Sequence, residues 1–419
     1  VNTRNMTETV VQKLKIAGLL GVEGHHGSMD KAIRLDVEQR LKNGYLRCVV
    51  SSSSLEMGID IGSVDLVIQV GSPGSIATAL QRIGRAGHQV GGLPRARFLP
   101  ISPHDLLELV ALQTGILRGS MDILKFPENC LDVLAQFLIG LSIIKEWDID
   151  DAYDLASASW PYRNLPYDDY IEVLDLLEDE RRIWIDWEDN KFGKRGFAQM
   201  IYYTNIGTIA PNNNYLVFTS DGTMVGQLSS SFVSSLRNGD VFLLGGSTYR
   251  VSSIRGTRVN VSPATGYRPT IPSWTGEANS RTHELSQEVL ELLEEVATYA
   301  RLEKDPMTIF TDILGLNRPV AHAVSGFFQE HVATTFQVPS NDLILVEQVE
   351  APLPTYIVTT CRGRAFNLAL GHLFAGIATN DNIIVHELSF DENGFMIKLS
   401  HEVEISLIPE IFKQGNSKD

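Results

Sequence analysis

The stretch Leu66-Val67-Ile68-Gln69-Val70 constrains this chain more than any other. It is largely apolar and β-branched, and Gly71 closes it as a glycine closes a strand of a parallel sheet. SSSSLEMGIDIG (Ser51–Gly62) precedes the strand, and QRIGRAGH (Gln81–His88) follows it. Ser75 to Leu80 turns helical, which puts Arg82 and Arg85 on a helix leaving the strand's carboxyl end. Open α/β sheets bind their ligands there. Being three residues apart, the arginines are expected to share a helix face, where guanidinium forks suit polyphosphate. The plainer reading of the pair is surface salt bridging.

This is only half of a phosphate site. No GxxxxGK(S/T) loop occurs, and the nearest fragment, Gly193-Lys194-Arg195-Gly196, reads as a polar turn. No acidic block of the D-E-x-H/D kind is present to hold Mg²⁺. Val1-Asn2-Thr3-Arg4 reads as a strand end entering a helix. The expectation is an excised fragment whose N-terminal part carried the nucleotide loop.

The chain has 419 residues, enough for two to four domains. No run of 18 apolar residues or signal-like start supports a membrane span or export. Cys48, Cys130 and Cys361 are far apart and read as reduced core residues of a cytoplasmic protein. A net charge of −16 argues against a generally basic nucleic-acid binder, but the acid is unevenly spread. Residues 1–125 carry 14 Lys+Arg against 11 Asp+Glu, whereas residues 126–200 carry 7 against 17. Residues 201–285 return to 6 against 4, so a nucleic-acid channel is not excluded.

Along the first 125 residues helix and strand alternate, which predicts a parallel sheet with helices on both faces. Thr7 is expected to cap the first helix, and Pro103 to open the last. In residues 126–200, Leu131 to Leu141 reads as a core helix. Tyr167 to Glu180 reads as amphipathic, with Ile171, Leu174 and Leu177 inward. Ile183–Ile185 and Ala198–Tyr203 are expected to be two strands bracketing a turn at Asn190–Gly196. From 201 to about 270 the period becomes two, which predicts a small β-barrel or sandwich. Helices near 284–302, 306–316 and 319–334 follow. Strands at 342–348, 355–360, 382–388 and 395–400, with a helix from Arg364 to Gly376, complete the chain.

Asn2-Thr3-Arg4, His25-His26-Gly27-Ser28, SSSSLEMGIDIG and QRIGRAGH resemble, in order and spacing, the motifs of the second RecA-like domain of superfamily-2 helicases of the Lhr (large helicase-related) family. The resemblance continues through LDVLAQ (Leu131–Gln136), Gly207-Thr208-Ile209, IPSWTGE (Ile271–Glu277), Leu343–Glu347 and Arg364-Ala365-Phe366-Asn367. It implies a RecA-like α/β domain at 1–125, a winged-helix domain at 126–200 and an α+β domain containing a β-barrel at 201–419. The implied function is that of an ATP-dependent helicase that moves 3′-to-5′ on single-stranded DNA, unwinds DNA or RNA:DNA duplexes and serves DNA repair. ATP and Mg²⁺ would be bound mostly by the missing N-terminal RecA-like domain, so the fragment alone should be inactive.

Carried onto this chain, the resemblance makes Arg85 the arginine finger, with Arg82 beside it and Gln81 nearer the nucleotide. Gly58 and Asp60 fall near the ribose and catalytic water, although Asp60 could simply cap a helix. His88 stands where relatives often have arginine, and either meets phosphate or caps the turn. Thr3, Arg4, His26, Ser28 and Ser53 are expected to face the nucleic-acid strand through sugar and phosphate. Trp274, between Pro272 and Gly276, is expected to stack on a base, the alternative being a barrel plug. Arg281 and Ile209 extend the same track, although Ile209 is followed by Ala210-Pro211-Asn212 rather than Pro-Asp. No cysteine or second histidine pair completes a zinc site with His25 and His26. Two other readings stand beside the helicase: an ATP-independent single-strand binding or annealing module, and an RNA-directed helicase. The oligomeric state is not written in these residues.

Overall fold

The computed structural model describes residues 1–56, 64–87, 93–124, 126–207, 214–264, 280–301, 306–335, 337–380 and 383–403. The chain divides into two compact units. One joins Val1–Asp122 to Asn214–Asp419, and the other is Ile123–Asn213.

The first unit opens with α1 (Arg4–Ile16), β1 (Val22–His25), α2 (Lys31–Lys42), β2 (Cys48–Ser51), β3 (Val67–Val70), α3 (Ile76–Ile83), β4 (Ala96–Leu99) and α4 (Pro103–Arg118). Among the described residues the strands form two parallel pairs, Val22 opposite Cys48 and Val67 opposite Ala96. The expected parallel strand–helix alternation is present. The cap of α1 is Thr3 rather than Thr7, its hydroxyl accepting from the Met6 N–H at 3.1 Å. Thr7 is buried a turn later and donates back to the Thr3 carbonyl. In β3 the apolar side chain of Ile68 is 54% exposed and the buried residue is Gln69, the reverse of the expected pattern. The reason is a polar cluster beneath the strand, described below.

The second unit contains α5 (Leu131–Ile144), β5 (Trp147–Asp148), α6 (Ile149–Ser157), α7 (Tyr167–Asp179), β6 (Ile183–Asp186), β7 (Lys191–Lys194) and α8 (Ala198–Thr204). Its strands form an antiparallel sheet in the order β5-β7-β6. The second wing strand is thus Lys191–Lys194, inside the expected turn, and Ala198–Thr204 is a helix. Phe192 explains the difference: it is one apolar residue among polar neighbours, yet it is fully buried. Asn190, at φ +53°, makes the tight turn before it, and Gly193 leaves room for the Trp184 ring. Along α7, Tyr170, Val173, Leu174 and Leu177 face the core with Leu134, Leu138 and Ile149.

The first unit resumes with β8 (Tyr215–Thr219), β9 (Met224–Leu228), α9 (Ser230–Ser235), β10 (Val241–Leu244), β11 (Ser247–Arg255) and β12 (Arg258–Pro263). These strands form one sheet, ordered β10-β11-β12-β8-β9. It is an open half-barrel rather than the expected small barrel or sandwich. Pairing β12 parallel to β8 sends β9 and β10 to opposite edges. The β9 edge is taken instead by the loop after β1. The Ser28 carbonyl accepts from the Gln227 N–H at 2.7 Å, and Met29 bridges Gly226.

Beyond it lie α10 (His283–Arg301), α11 (Pro306–Thr308), a π-helical turn (Ile309–Ile313) and α12 (Arg318–Thr335). The chain then forms β13 (Leu345–Val349), β14 (Thr355–Thr359), α13 (Arg364–Asn380), β15 (Val385–Phe390) and β16 (Gly394–Leu399). The last four strands make an antiparallel sheet in the order β13-β14-β16-β15. Helix α10 packs on α4 through Val289, Leu290 and Leu293 against Leu107, Val110 and Ala111.

Candidate functional site

Helix α3 begins where β3 and its glycine end, with Ser75 accepting from the Thr78 N–H. It stops at Ile83, and Gly84 leads into a turn. Arg82 is therefore the last helical arginine and Arg85 lies in the turn, so the two do not share a helix face as expected.

Their surroundings differ sharply. Arg82 is buried, and its guanidinium donates Nε to Glu56 Oε1 at 2.7 Å. Its Nη1 donates to Asn2 Oδ1 at 2.7 Å and to Gln69 Oε1 at 2.8 Å, while Nη2 closes a second bond to Glu56. Gln69 Nε2 in turn donates to Asn2 Oδ1 and the Gly71 carbonyl. This cluster satisfies a buried charge and ties the chain's start, the end of SSSSLE and β3 to α3. Arg85 has no such company. Among the described residues its side chain makes no hydrogen bond or ion pair, and its Nε is buried without a partner. Gln81, one turn earlier, is exposed. Gly58, Asp60 and His88 lie outside the described residues.

The expected strand-gripping loops come next. Thr3 is spent on capping α1, and Arg4 Nη1 donates to Ser28 Oγ at 2.5 Å. His26 and Ser28, expected to face the nucleic acid, are instead buried. His26 Nδ1 accepts from the Ser28 N–H, which leaves Nε2 to donate to Glu8 Oε1 at 2.7 Å. Glu8, nearly inaccessible on α1, also accepts from the N–H groups of Gly245 and Gly246 between β10 and β11. One carboxylate thus fastens the β1 loop to the five-stranded sheet. Ser53 is exposed at the start of a short 3₁₀ turn, Ser53–Leu55.

His25 is also fully buried, with Nε2 2.9 Å from Glu38 Oε1 and Nδ1 2.7 Å from Ser54 Oγ. Burial lowers its pKa from the usual 6.5 despite Glu38, with Arg34 and His26 adding to the lowering. The unfolded chain therefore binds this proton more readily, and the stability contributed is present above pH 6.5 and lost as pH falls below it. Between pH 7.5 and 5.5, thermal melts should show wild type losing more stability than His25→Asn. Equal losses would remove His25 from the acid response.

Arg281 overturns its assignment to the nucleic-acid track. It is buried, donating to Glu108 Oε2 at 3.0 Å, Ser286 Oγ, Asn393 Oδ1 and the carbonyls of Cys361 and Glu392. No donor is left for a phosphate, and its place is structural. Trp274 and Ile209 lie outside the described residues. Among the described residues, no group of three or more His, Cys, Asp or Glu side chains could hold a metal ion. No local pattern signals the anchoring roles of Asn2, Glu56 and Gln69. Glu8 had one signal, an acid three residues before Val11 on the buried face of α1.

Comparison with known proteins adds to this geometry. Residues 1–89 match the helicase conserved C-terminal domain, and residues 114–271 match the winged helix domain of the large helicase-related protein. The ATP-dependent helicase Lhr-Core protein 2 of Thermococcus barophilus is 38% identical over 97% of this chain and 48% of its own length. The ATP-dependent helicase Lhr-Core of Methanocaldococcus jannaschii is 36% identical over 98% of the chain and 49% of its own. The chain spans about half the length of these curated relatives. Among solved structures, Mycobacterium smegmatis helicase Lhr bound to ssDNA and AMP-PNP aligns with a TM-score of 0.73 at 25% identity. That match covers 100% of this chain and 53% of the other.

Proposed function

Because the chain belongs to the Lhr (large helicase-related) family of superfamily-2 helicases, we propose that its full-length protein is an ATP-dependent helicase to which this chain supplies the second motor domain. The observation that carries the reading is the contrast between an engaged Arg82 and an Arg85 without a partner among the described residues. A buried guanidinium donor without an acceptor suits an anion brought by another body. ATP supplies that anion when it lies between two RecA-like domains, with Mg²⁺ held mostly by the other one. Arg85 then meets charge developing on the γ-phosphate, and Arg82 holds the turn that aims it. Gln81 faces the nucleotide side, and Gly58, Asp60 and His88 complete it.

The domains run 1–125, 126–200 and 201–419; the compactness of Ile123–Asn213 supports a separate middle domain, extended to take in helix Ala198–Thr204, while Val1–Asp122 and Asn214–Asp419 cluster as one unit. Arg4 and Ser53 touch the sugar–phosphate backbone, Thr3 caps the helix that carries Arg4, and His26 and Ser28 hold the loop from within. Ile209 and Trp274 belong to the same nucleic-acid track. The Mycobacterium smegmatis relative, captured with ssDNA and AMP-PNP, supports single-stranded DNA as the partner. Movement is 3′-to-5′, unwinding DNA or RNA:DNA duplexes in the service of DNA repair in the cytoplasm. Annealing without ATP is the second reading, favoured by the half-exposed sheet face described below.

Fluorescence anisotropy with labelled single-stranded DNA tests the binding half. Trp274→Ala should weaken binding on the order of tenfold, the loss of one stacked base. Equal binding by both proteins would place Trp274 in a core, and robust ATP turnover by this chain alone would overturn the division of the motor.

A further inference from the structure

Alternation along β8 and β12 sends Val217, Val259 and Val261 into the core and Phe218, Arg258 and Asn260 to the opposite face. Asn260 lies opposite Phe218, and Arg258 opposite Leu216, in the parallel pair. On the other side β11 sets Arg255 opposite Arg258 and Ser253 opposite Asn260. The guanidinium of Arg258 stacks on the Phe218 ring, its carbon 3.8 Å from the centroid. Arg258 Nε donates to Asn260 Oδ1 at 3.0 Å, and Asn260 Nδ2 donates to Ser253 Oγ at 3.0 Å. The plane is thereby fixed, one side on the ring and the residue exposed on the other.

We propose that this end of the sheet is a second binding surface for single-stranded nucleic acid, built on the Phe218–Arg258 stack and Arg255. The charge arrangement argues for an anionic occupant. Like charges directly opposite each other across a β-hairpin are unfavourable, yet Arg255 and Arg258 face each other. Among the described residues neither has a carboxylate partner, in a protein with 51 acidic residues to 35 basic ones. Only two acids occur between 214 and 264, and both are engaged: Asp221 with Thr219 and Thr223, Asp240 with the Arg237 N–H. A guanidinium held flat presents its open side to a base and its Nη donors to phosphate, a combination that selects unpaired strands. The surface is bounded: toward β10 the same face is closed, with Leu243 only 1% exposed. At its other edge, β9 is bonded to Ser28 and Met29, in the loop expected to grip the strand.

The proposal rests on the nucleic-acid reading of the chain only for the identity of its occupant. Its test is anisotropy with a labelled oligothymidylate, on wild type, Arg258→Glu, Phe218→Leu and Trp274→Ala across a salt series. Arg258→Glu should bind on the order of tenfold more weakly and lower the salt slope by about one. Phe218→Leu should bind several-fold more weakly with the slope kept, and both should melt as wild type does. Wild-type binding by Arg258→Glu and Phe218→Leu, with Trp274→Ala impaired, would overturn the second surface and leave the helicase reading intact. No binding by wild type at low salt would overturn both. Displacement by polyglutamate as readily as by unlabelled oligonucleotide would make the face a general anion surface and overturn its specificity for strands.

Discussion

Arg85→Ala in the full-length protein should lower ATP turnover by about a thousandfold or more while leaving the fold untouched. The size follows from the chemistry: an arginine that meets the transferring phosphoryl group supplies charge nothing else replaces. The intact fold follows from the structure, because Arg85 makes no hydrogen bond or ion pair among the described residues and its buried Nε is unsatisfied. Deleting such a group loses no internal partner, so the melting temperature of this chain should hold or rise slightly. Arg82→Ala is the contrasting case. It strands the Glu56 carboxylate and the amides of Asn2 and Gln69, so it should impair turnover and melting together. A loss below tenfold for Arg85→Ala would remove it from the finger role.

The second large effect belongs to a residue first placed on the nucleic-acid track. Arg281→Ala should cost about 3–5 kcal/mol of stability, the range for breaking a buried, fully hydrogen-bonded ion pair. Its guanidinium reaches Glu108 on α4, the Cys361 carbonyl between β14 and α13, and Asn393 and Glu392 beside β16, so three segments lose their common donor. Denaturant unfolding should show the fall in midpoint, with oligonucleotide binding per folded molecule unchanged. A stable variant with weakened DNA affinity would return Arg281 to the track.

Where the sequence was legible, neighbours in the chain decided the structure. The helix expected from Arg364 and the strand expected at 355–360 appear as Arg364–Asn380 and Thr355–Thr359. The two blocks around β3 pointed to Arg82 and Arg85, and the comparisons agree on the family they resemble. Side-chain direction was not legible. Nothing local distinguishes His26, buried on Glu8, from a histidine facing solvent. Phe192 sits among polar neighbours that read as a turn, and the core that buries it is assembled by α5 and α7. Strand periodicity does not say which strands meet, so it cannot tell a barrel from this open sheet. β9 meets the β1 loop, and no rule of hairpins predicts that.

That meeting also sets an order on folding. Gly245 and Glu8 are 237 positions apart, yet they share a buried bond, and the β9 edge waits on Ser28 and Met29 in the same way. The sheet cannot be finished by its own hairpins, because its last partner was synthesised long before. Closing so long a loop is entropically expensive and slow. Until it closes, the nascent chain carries an unpaired strand edge and an unmet carboxylate. Chaperone dependence during synthesis should therefore be traceable to this one seam.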